Sequence, residues 1–279
     1  MELRIPARLC ALLDRPEDSI CLAEAALIVA AAQYPDLDVS DYLGRLDSYA
    51  AELRGRLGEE ASYTERLGAI NQYLFHELGF APDEENFYDP RNSFLNDVLE
   101  RRRGIPLSLS ILYIAVGRRL GLDLRGVSFP GHFLVKCPVD GGVVVLDPYH
   151  GGLSLSLEDL QKRLREVRGG EVSRAIVSEM LVSAAPREVL VRMLRNLKAI
   201  YLKDEQLHDA LAVLEWIIPL APGEHEEVRD RGVVYQELEC FRAALADFEH
   251  YISHEPGAHD AEAIHGRIVE MRKMASRLN

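Results

Sequence analysis

The last third of the chain repeats itself. Asp209-Ala210-Leu211-Ala212-Val213-Leu214-Glu215-Trp216 aligns with Ala243-Ala244-Leu245-Ala246-Asp247-Phe248-Glu249-His250 at an offset of 34 residues, and Tyr201 with Tyr235 and Pro222 with Pro256 keep the same interval. A fixed period of this length marks an array of like supersecondary units, each burying its apolar face only against its neighbours. Residues 187–279 are therefore expected to form a stack, with units at about 189–222 and 223–256. Two units fall below the three or so that such an array usually needs. Ala261 to Leu278 is expected to cap the stack, and the Arg192 end to pack on the α+β domain that precedes it.

Ahead of the repeats the pattern is mixed. Apolar residues at helical spacing (Leu22, Ala25, Ala26, Val29, then Leu43, Leu46, Ala50, Leu53) predict two helices between Pro16 and Gly58, separated at Pro35-Asp36-Leu37-Asp38, and a third from Tyr63 to Leu78. Pro82 to Asn92 is polar and reads as a loop. Asn92-Ser93 is expected to open a short helix running to Arg103 and stopped by Gly104, with Asn92 as its cap. Pro106 restarts the chain as a helix, since proline suits the first helical position. That helix is apolar all round (Leu107, Leu109, Ile111, Leu112, Ile114, Ala115, Val116), which predicts a central, buried one.

Two β-branched runs follow, flanking Pro138-Val139-Asp140-Gly141-Gly142, and read as a hairpin. With Asp140-Gly141 as the turn residues, Val139 faces Gly142 and Leu134 faces Asp147, so His132 and Asp147 become diagonal neighbours on one face. Such pairs lie about 7 Å apart at Cβ, a gap an imidazole and a carboxylate can close; a one-residue slip would separate them. Ser156-Leu157-Glu158-Asp159 then opens an amphipathic helix that Gly169-Gly170 ends. The reading is an α+β domain at 61–180, preceded by a helical segment at 1–60 and followed by the all-α repeats.

Composition narrows the function. A net charge of -13 opposes nucleic-acid binding, which needs a basic footprint. Arg101-Arg102-Arg103 reads as a solvated helix end, or as an anion site with the free N–H groups of the helix that follows. Cys10, Cys21, Cys137 and Cys240 are scattered without metal-ligand spacing, so no metal or cofactor and no disulfide framework is expected. Leu22–Ala32 is too short to span a bilayer, and the N-terminus lacks the pattern of a signal peptide. The expectation is a cytoplasmic protein with no membrane or nucleic-acid partner; the sequence does not fix its oligomeric state.

The order of a buried helix, a Pro-Gly-His strand start and a Leu-Asp-Pro strand end resembles the papain-like transglutaminase core, which implies a Cys nucleophile at the helix start followed by His and Asp. Alignment through Arg118-Arg119-Leu120-Gly121-Leu122 puts the expected Cys at Pro106, so His132 and Asp147 match while the nucleophile is missing. The period of 34, the small Ala210 and Ala244, the large Leu214 and Phe248, Gly232 three before Tyr235, and the closing prolines resemble the tetratricopeptide repeat, which implies helical hairpins and a groove for a protein or peptide. The whole chain resembles the bacterial SirB-type family, which joins these two parts. Asp89-Pro90-Arg91-Asn92-Ser93, Arg103-Gly104-Ile105-Pro106-Leu107-Ser108, Pro130-Gly131-His132-Phe133, Asp147-Pro148-Tyr149-His150 and Arg229-Asp230-Arg231-Gly232 carry the resemblance. Pro106 at the nucleophile position, beside two recognisable repeats, makes the expectation a pseudoenzyme that acts as a regulatory or interaction protein. One rival is a serine-dependent amidase, esterase or acyltransferase built from Ser108, His132 and Asp147, although a two-residue helical step turns Ser108 away from the direction of residue 106. Another keeps the cleft for binding alone, with His132, Asp147 and Tyr149 recognising a peptide or small ligand without turnover and Asn92, Pro106, Tyr149 and His150 as its expected lining.

Overall fold

The computed structural model describes residues 5–277; Leu278, the expected end of the cap, lies outside them. The chain divides into two compact units, one of residues 8–193 and one containing residues 194–277.

In the first unit, α1 (Ala7–Leu13), α2 (Leu22–Ala31), α3 (Val39–Arg56) and α4 (Tyr63–Asn71) precede the α+β part. The α3 helix opens on Asp38, whose carboxylate accepts from Ser40 N–H, and α4 on a reciprocal Ser62–Glu65 capping box. The helix expected to end at Leu78 changes character at Gln72 and finishes as a π-helical stretch to Glu77. Next come β1 (Ala81–Pro82), α5 (Leu95–Arg101), β2 (Arg103–Gly104), α6 (Pro106–Arg119), β3 (Arg125–Val127), β4 (Leu134–Val139), β5 (Gly142–Asp147), β6 (Leu153–Leu155), α7 (Leu157–Arg168) and α8 (Arg174–Met180).

Two local readings are corrected. The segment read as a loop shares only its first residue, Pro82, with β1, which pairs in parallel with β2. The helix expected from Asn92 starts at Leu95 instead: Pro90–Asn92 forms a separate 3-10 turn capped by Asp89, and the N-cap of α5 is Phe94, with no side-chain bond. That helix stops at Arg101 because Arg102 turns left-handed (φ 56°), a stop two residues ahead of Gly104.

The α6 helix is the hub, packed against α2 to α5 and against β3 and β4. Its residues Leu107 to Gly117 are all buried. The antiparallel sheet runs β3-β4-β5-β6, and the β4–β5 register pairs Val139 with Gly142 and Val135 with Leu146, as the hairpin reading requires. Side chains alternate across it. Val127, Leu134, Val145 and Leu155 form a core with Leu160 and Leu164 of α7 and Val177 of α8. On the opposite face Phe133 packs so close to Gly126, beside Ile114 of α6, that a Cβ at residue 126 would meet the ring at 2.7 Å.

The boundary between the units falls inside α9 (Pro186–Lys203). Beyond it lie α10 (Leu207–Leu220), α11 (His225–Glu237), α12 (Phe241–His254) and α13 (Ala261–Arg277), and from α10 to α13 each packs on the next. Trp216 of α10 is fully buried. The period of 34 recurs in the backbone: Glu205 and Glu239 both take φ 56°, and Gln206 N–H to Tyr201 O and Cys240 N–H to Tyr235 O both measure 2.8 Å. These are Schellman closures of α9 and α11. Gly232 marks a close approach, since a Cβ there would meet the Phe248 ring at 2.8 Å. Buried charge knits the repeats: Glu227 receives Arg195 Nε (2.7 Å) and Lys198 Nζ (2.6 Å), and Arg231 joins Glu215 (3.0 Å) to Asp247 (2.8 Å). Among the described residues no helix is long and apolar enough to cross a membrane.

Candidate functional site

The Asp147 carboxylate sits at the end of β5 and is wholly shielded from solvent. Its Oδ2 accepts from three donors: His132 Nε2 at 3.0 Å, His150 Nδ1 at 2.7 Å and Arg163 Nη2 at 2.7 Å. His132 reaches it from the Pro130-Gly131-His132 turn before β4, His150 from the 3-10 turn Pro148–His150, and Arg163 from α7. Asp147 shares with Val145 the sheet face that α7 covers, which is why an α7 arginine meets it. An ionised carboxylate only accepts, so the bonded nitrogens of both imidazoles carry protons. Burial alone would raise the Asp147 pKa. The hydrogen bond and charge of His132, together with the bonds from Arg163 and His150, overcome it and hold the carboxyl well below the usual carboxylate range.

Three rings gather over this carboxylate. Tyr149 stands edge-on to His132 with centroids 5.8 Å apart and edge-on to His150 at 5.3 Å, and the two imidazoles lie 5.7 Å apart. His150 is half exposed, His132 largely covered, so the cluster opens to solvent through His150. Its frame comes from distant residues. Asn71 Nδ2 donates to Gly152 O at 3.0 Å while Asn71 Oδ1 accepts from Tyr113 OH at 2.8 Å, tying the turn after Asp147 to α6. Gly152 has φ 76° and lies against the Asn71 side chain where a Cβ would stand, so this position takes no other residue without rearrangement. Arg192 Nη2 donates to His132 O at 2.9 Å and its guanidinium lies over the Phe133 ring. Sequence reasoning set the Arg192 end of the repeats against the α+β domain without naming its partner there, and did not single out Arg163 or Asn71.

Although α6 packs against the Pro148–His150 turn, the other residues named from sequence make different bonds. Pro106 is the first residue of α6 and offers no nucleophilic atom. Ser108 is buried; its hydroxyl donates to Asn92 O at 2.6 Å and accepts from Ile105 N–H at 3.1 Å. It is a first-turn serine bonding to backbone, and among the described residues no hydrogen bond joins it to His132. The triad Ser108-His132-Asp147 is therefore not assembled. Asn92 neither caps α5 nor faces an open cleft. It is fully buried, donating to Asp83 Oδ2 and Asn86 O and accepting from Arg101 Nη1. The arginine run is likewise engaged rather than free for an anion: Arg101 bonds Asn92 and Asp83, Arg102 bonds Leu78 O, and Arg103 bonds Gly79 O. Cys137 is buried in β4, and burial pushes its thiol pKa up, away from the thiolate.

The donor atoms of His132, Asp147 and His150 lie within 4.8 Å of one another, as metal ligands would. Arg163 already holds Asp147 Oδ2, and its fixed positive charge opposes a cation there. The arrangement suits a polarised, hydrogen-bonded pair of imidazoles better than a metal centre.

Compared with known proteins, residues 40–195 match the family model of the transglutaminase-like superfamily, and residues 197–268 that of the tetratricopeptide repeat. The chain is 40% identical over 256 residues to a UPF0162 protein of Xylella fastidiosa, covering 91% of each. It is 30% identical over 240 residues to Protein SirB1 of Salmonella typhimurium and, equally, to the UPF0162 protein YchA of Escherichia coli, covering 84% of this chain and 86% of each relative. No solved structure matches it.

Proposed function

We propose, since the chain belongs to the transglutaminase-like superfamily and within it to the UPF0162 family that includes SirB1 and YchA, that it is a non-catalytic cytoplasmic protein whose repeats engage a protein or peptide. The observation that carries the first half is the start of α6. A nucleophile there would gain from free N–H groups and the helix dipole, yet the first residue is Pro106 and the one hydroxyl of the first turn, on Ser108, is engaged with backbone. His132 and Asp147 then hold each other with no partner to activate. For the second half, tetratricopeptide repeats generally mediate protein–protein interaction, and residues 197–268 match them.

Two measurements test this. Wild type and His132→Gln, assayed with activated esters and with a glutamine peptide plus an amine acceptor, are expected to give the same background rate. A wild-type rate that His132→Gln abolishes overturns the non-catalytic reading. Photo-crosslinking of the full chain in cells should map partner crosslinks to 197–268; crosslinks confined to 40–195 would sink the repeat half.

A second reading, binding at the Asp147 cluster without turnover, draws on the half-exposed His150 and the Tyr149 ring beside it. In that case His150→Ala lowers affinity for a captured peptide and changes no rate.

A further inference from the structure

Three imidazoles meet in the repeat unit. His225 is the first residue of α11, while His250 and His254 stand four apart at the end of α12, a spacing that puts both on one helix face. The ring centroids of His250 and His254 are 4.2 Å apart, those of His225 and His254 4.3 Å, and those of His225 and His250 5.4 Å. One ring nitrogen from each lies within 4.8 Å of the other two. Among the described residues no carboxylate bonds to any of the three, so ion pairing does not account for the cluster. His250 and His254 are exposed and His225 half-buried, so burial of apolar surface does not account for it either.

The local chemistry prepares these rings as ligands. His254 Nδ1 lies 2.9 Å from His250 O. A carbonyl only accepts, so Nδ1 carries the proton and Nε2 presents its lone pair, as when a backbone carbonyl orients a metal-bound histidine. A metal takes neutral imidazole. His254 is the last residue of α12, whose negative end favours a cation.

We infer that His225, His250 and His254 bind one Zn2+ through three imidazole nitrogens, with the fourth tetrahedral position open to water or to a side chain of a bound partner. Zn–N bonds of about 2.0–2.1 Å in a tetrahedron put ligand nitrogens about 3.4 Å apart, and small rotations of two exposed side chains and one half-buried one bring them there. The ion would staple the start of α11 to the end of α12. Imidazole donors also suit Cu2+ and Ni2+; the three-nitrogen, open tetrahedral geometry is what selects Zn2+ as the ion to test.

Untagged full-length protein, stripped with a chelator and dialysed against micromolar Zn2+, should retain one equivalent of the ion by elemental analysis. Co2+ in its place should give visible bands of tetrahedral nitrogen–oxygen coordination without a thiolate charge-transfer band. His250→Gln and His254→Gln should each raise the Zn2+ dissociation constant about tenfold or more, whereas His150→Gln and Cys240→Ser should leave it unchanged. The inference is overturned by absence of retained Zn2+, by retention that survives both α12 substitutions, or by loss of the ion in His150→Gln or Cys240→Ser.

Discussion

Asp147 has one oxygen with three donors on it, and no solvent to replace any of them. Its folded pKa is depressed below the unfolded value of about 3.9. The stability it contributes is therefore fully present above that value and declines as pH falls through the carboxylate range, beginning below about pH 5. Asp147→Asn leaves Arg163 without its counter-charge and is expected to lower stability at pH 7 by about 3 kcal/mol. Urea unfolding from pH 7 to pH 3 should show the gap between wild type and variant narrowing with acid; a constant gap would contradict the ionised, donor-held carboxylate. The His132 contact was legible because a hairpin turn sets register and register sets which side chains meet across strands. His150, three residues on, was legible as a neighbour only. Arg163 and Asn71 were not, and for Arg192 only the packing of its end on the α+β domain was, since each reaches the site from a separate helix, and nothing in local spacing says which polar tip of a long helix will meet a given strand end.

At the scale of elements, the repeats close their first helices with a glutamate in a conformation that glycine adopts freely. Glu205 and Glu239 stand 34 apart with the same φ and the same closing hydrogen bonds. The period was visible in tyrosines, alanines and prolines, but not in these turns, because a left-handed closure is recognised in sequence by Gly or Asn and neither is present. Relief of the Cβ strain outweighs the added freedom of the unfolded chain, so Glu205→Gly and Glu239→Gly should each stabilise the protein by about 0.5–1 kcal/mol. Thermal melts of the single and double variants check this, with near-additive gains expected for sites a whole repeat apart. The helix misread at Asn92 has a related cause. Asn is a good N-cap, but here the amide turns inward to Asp83, Asn86 and Arg101, and buried donors left without partners cost more than a missing cap.

For the molecule as a whole, the α+β class, the central α6 and the repeat array follow from patterns that span many residues: an all-apolar helix, alternating strands and a fixed period. What those patterns omit is the polar lattice inside each unit. The Arg229-Asp230-Arg231-Gly232 stretch stood out in sequence, and the structure accounts for it in packing terms: Arg229 pairs with Asp230 and Asp260, Arg231 with Glu215 and Asp247, and Gly232 admits Phe248. Because the chain divides into two compact units, a lesion in one is expected to register most strongly there. Asp147→Asn should shift the thermal transition in far-ultraviolet circular dichroism more than that of indole emission, and equal shifts would mean that the units unfold as one. Trp216 makes that comparison possible. It is the chain's one tryptophan and it is fully buried in α10, so light absorbed near 295 nm is a reporter confined to the repeats. Ligand, metal or partner arriving there can be followed by fluorescence without a label, while events at Asp147 stay dark.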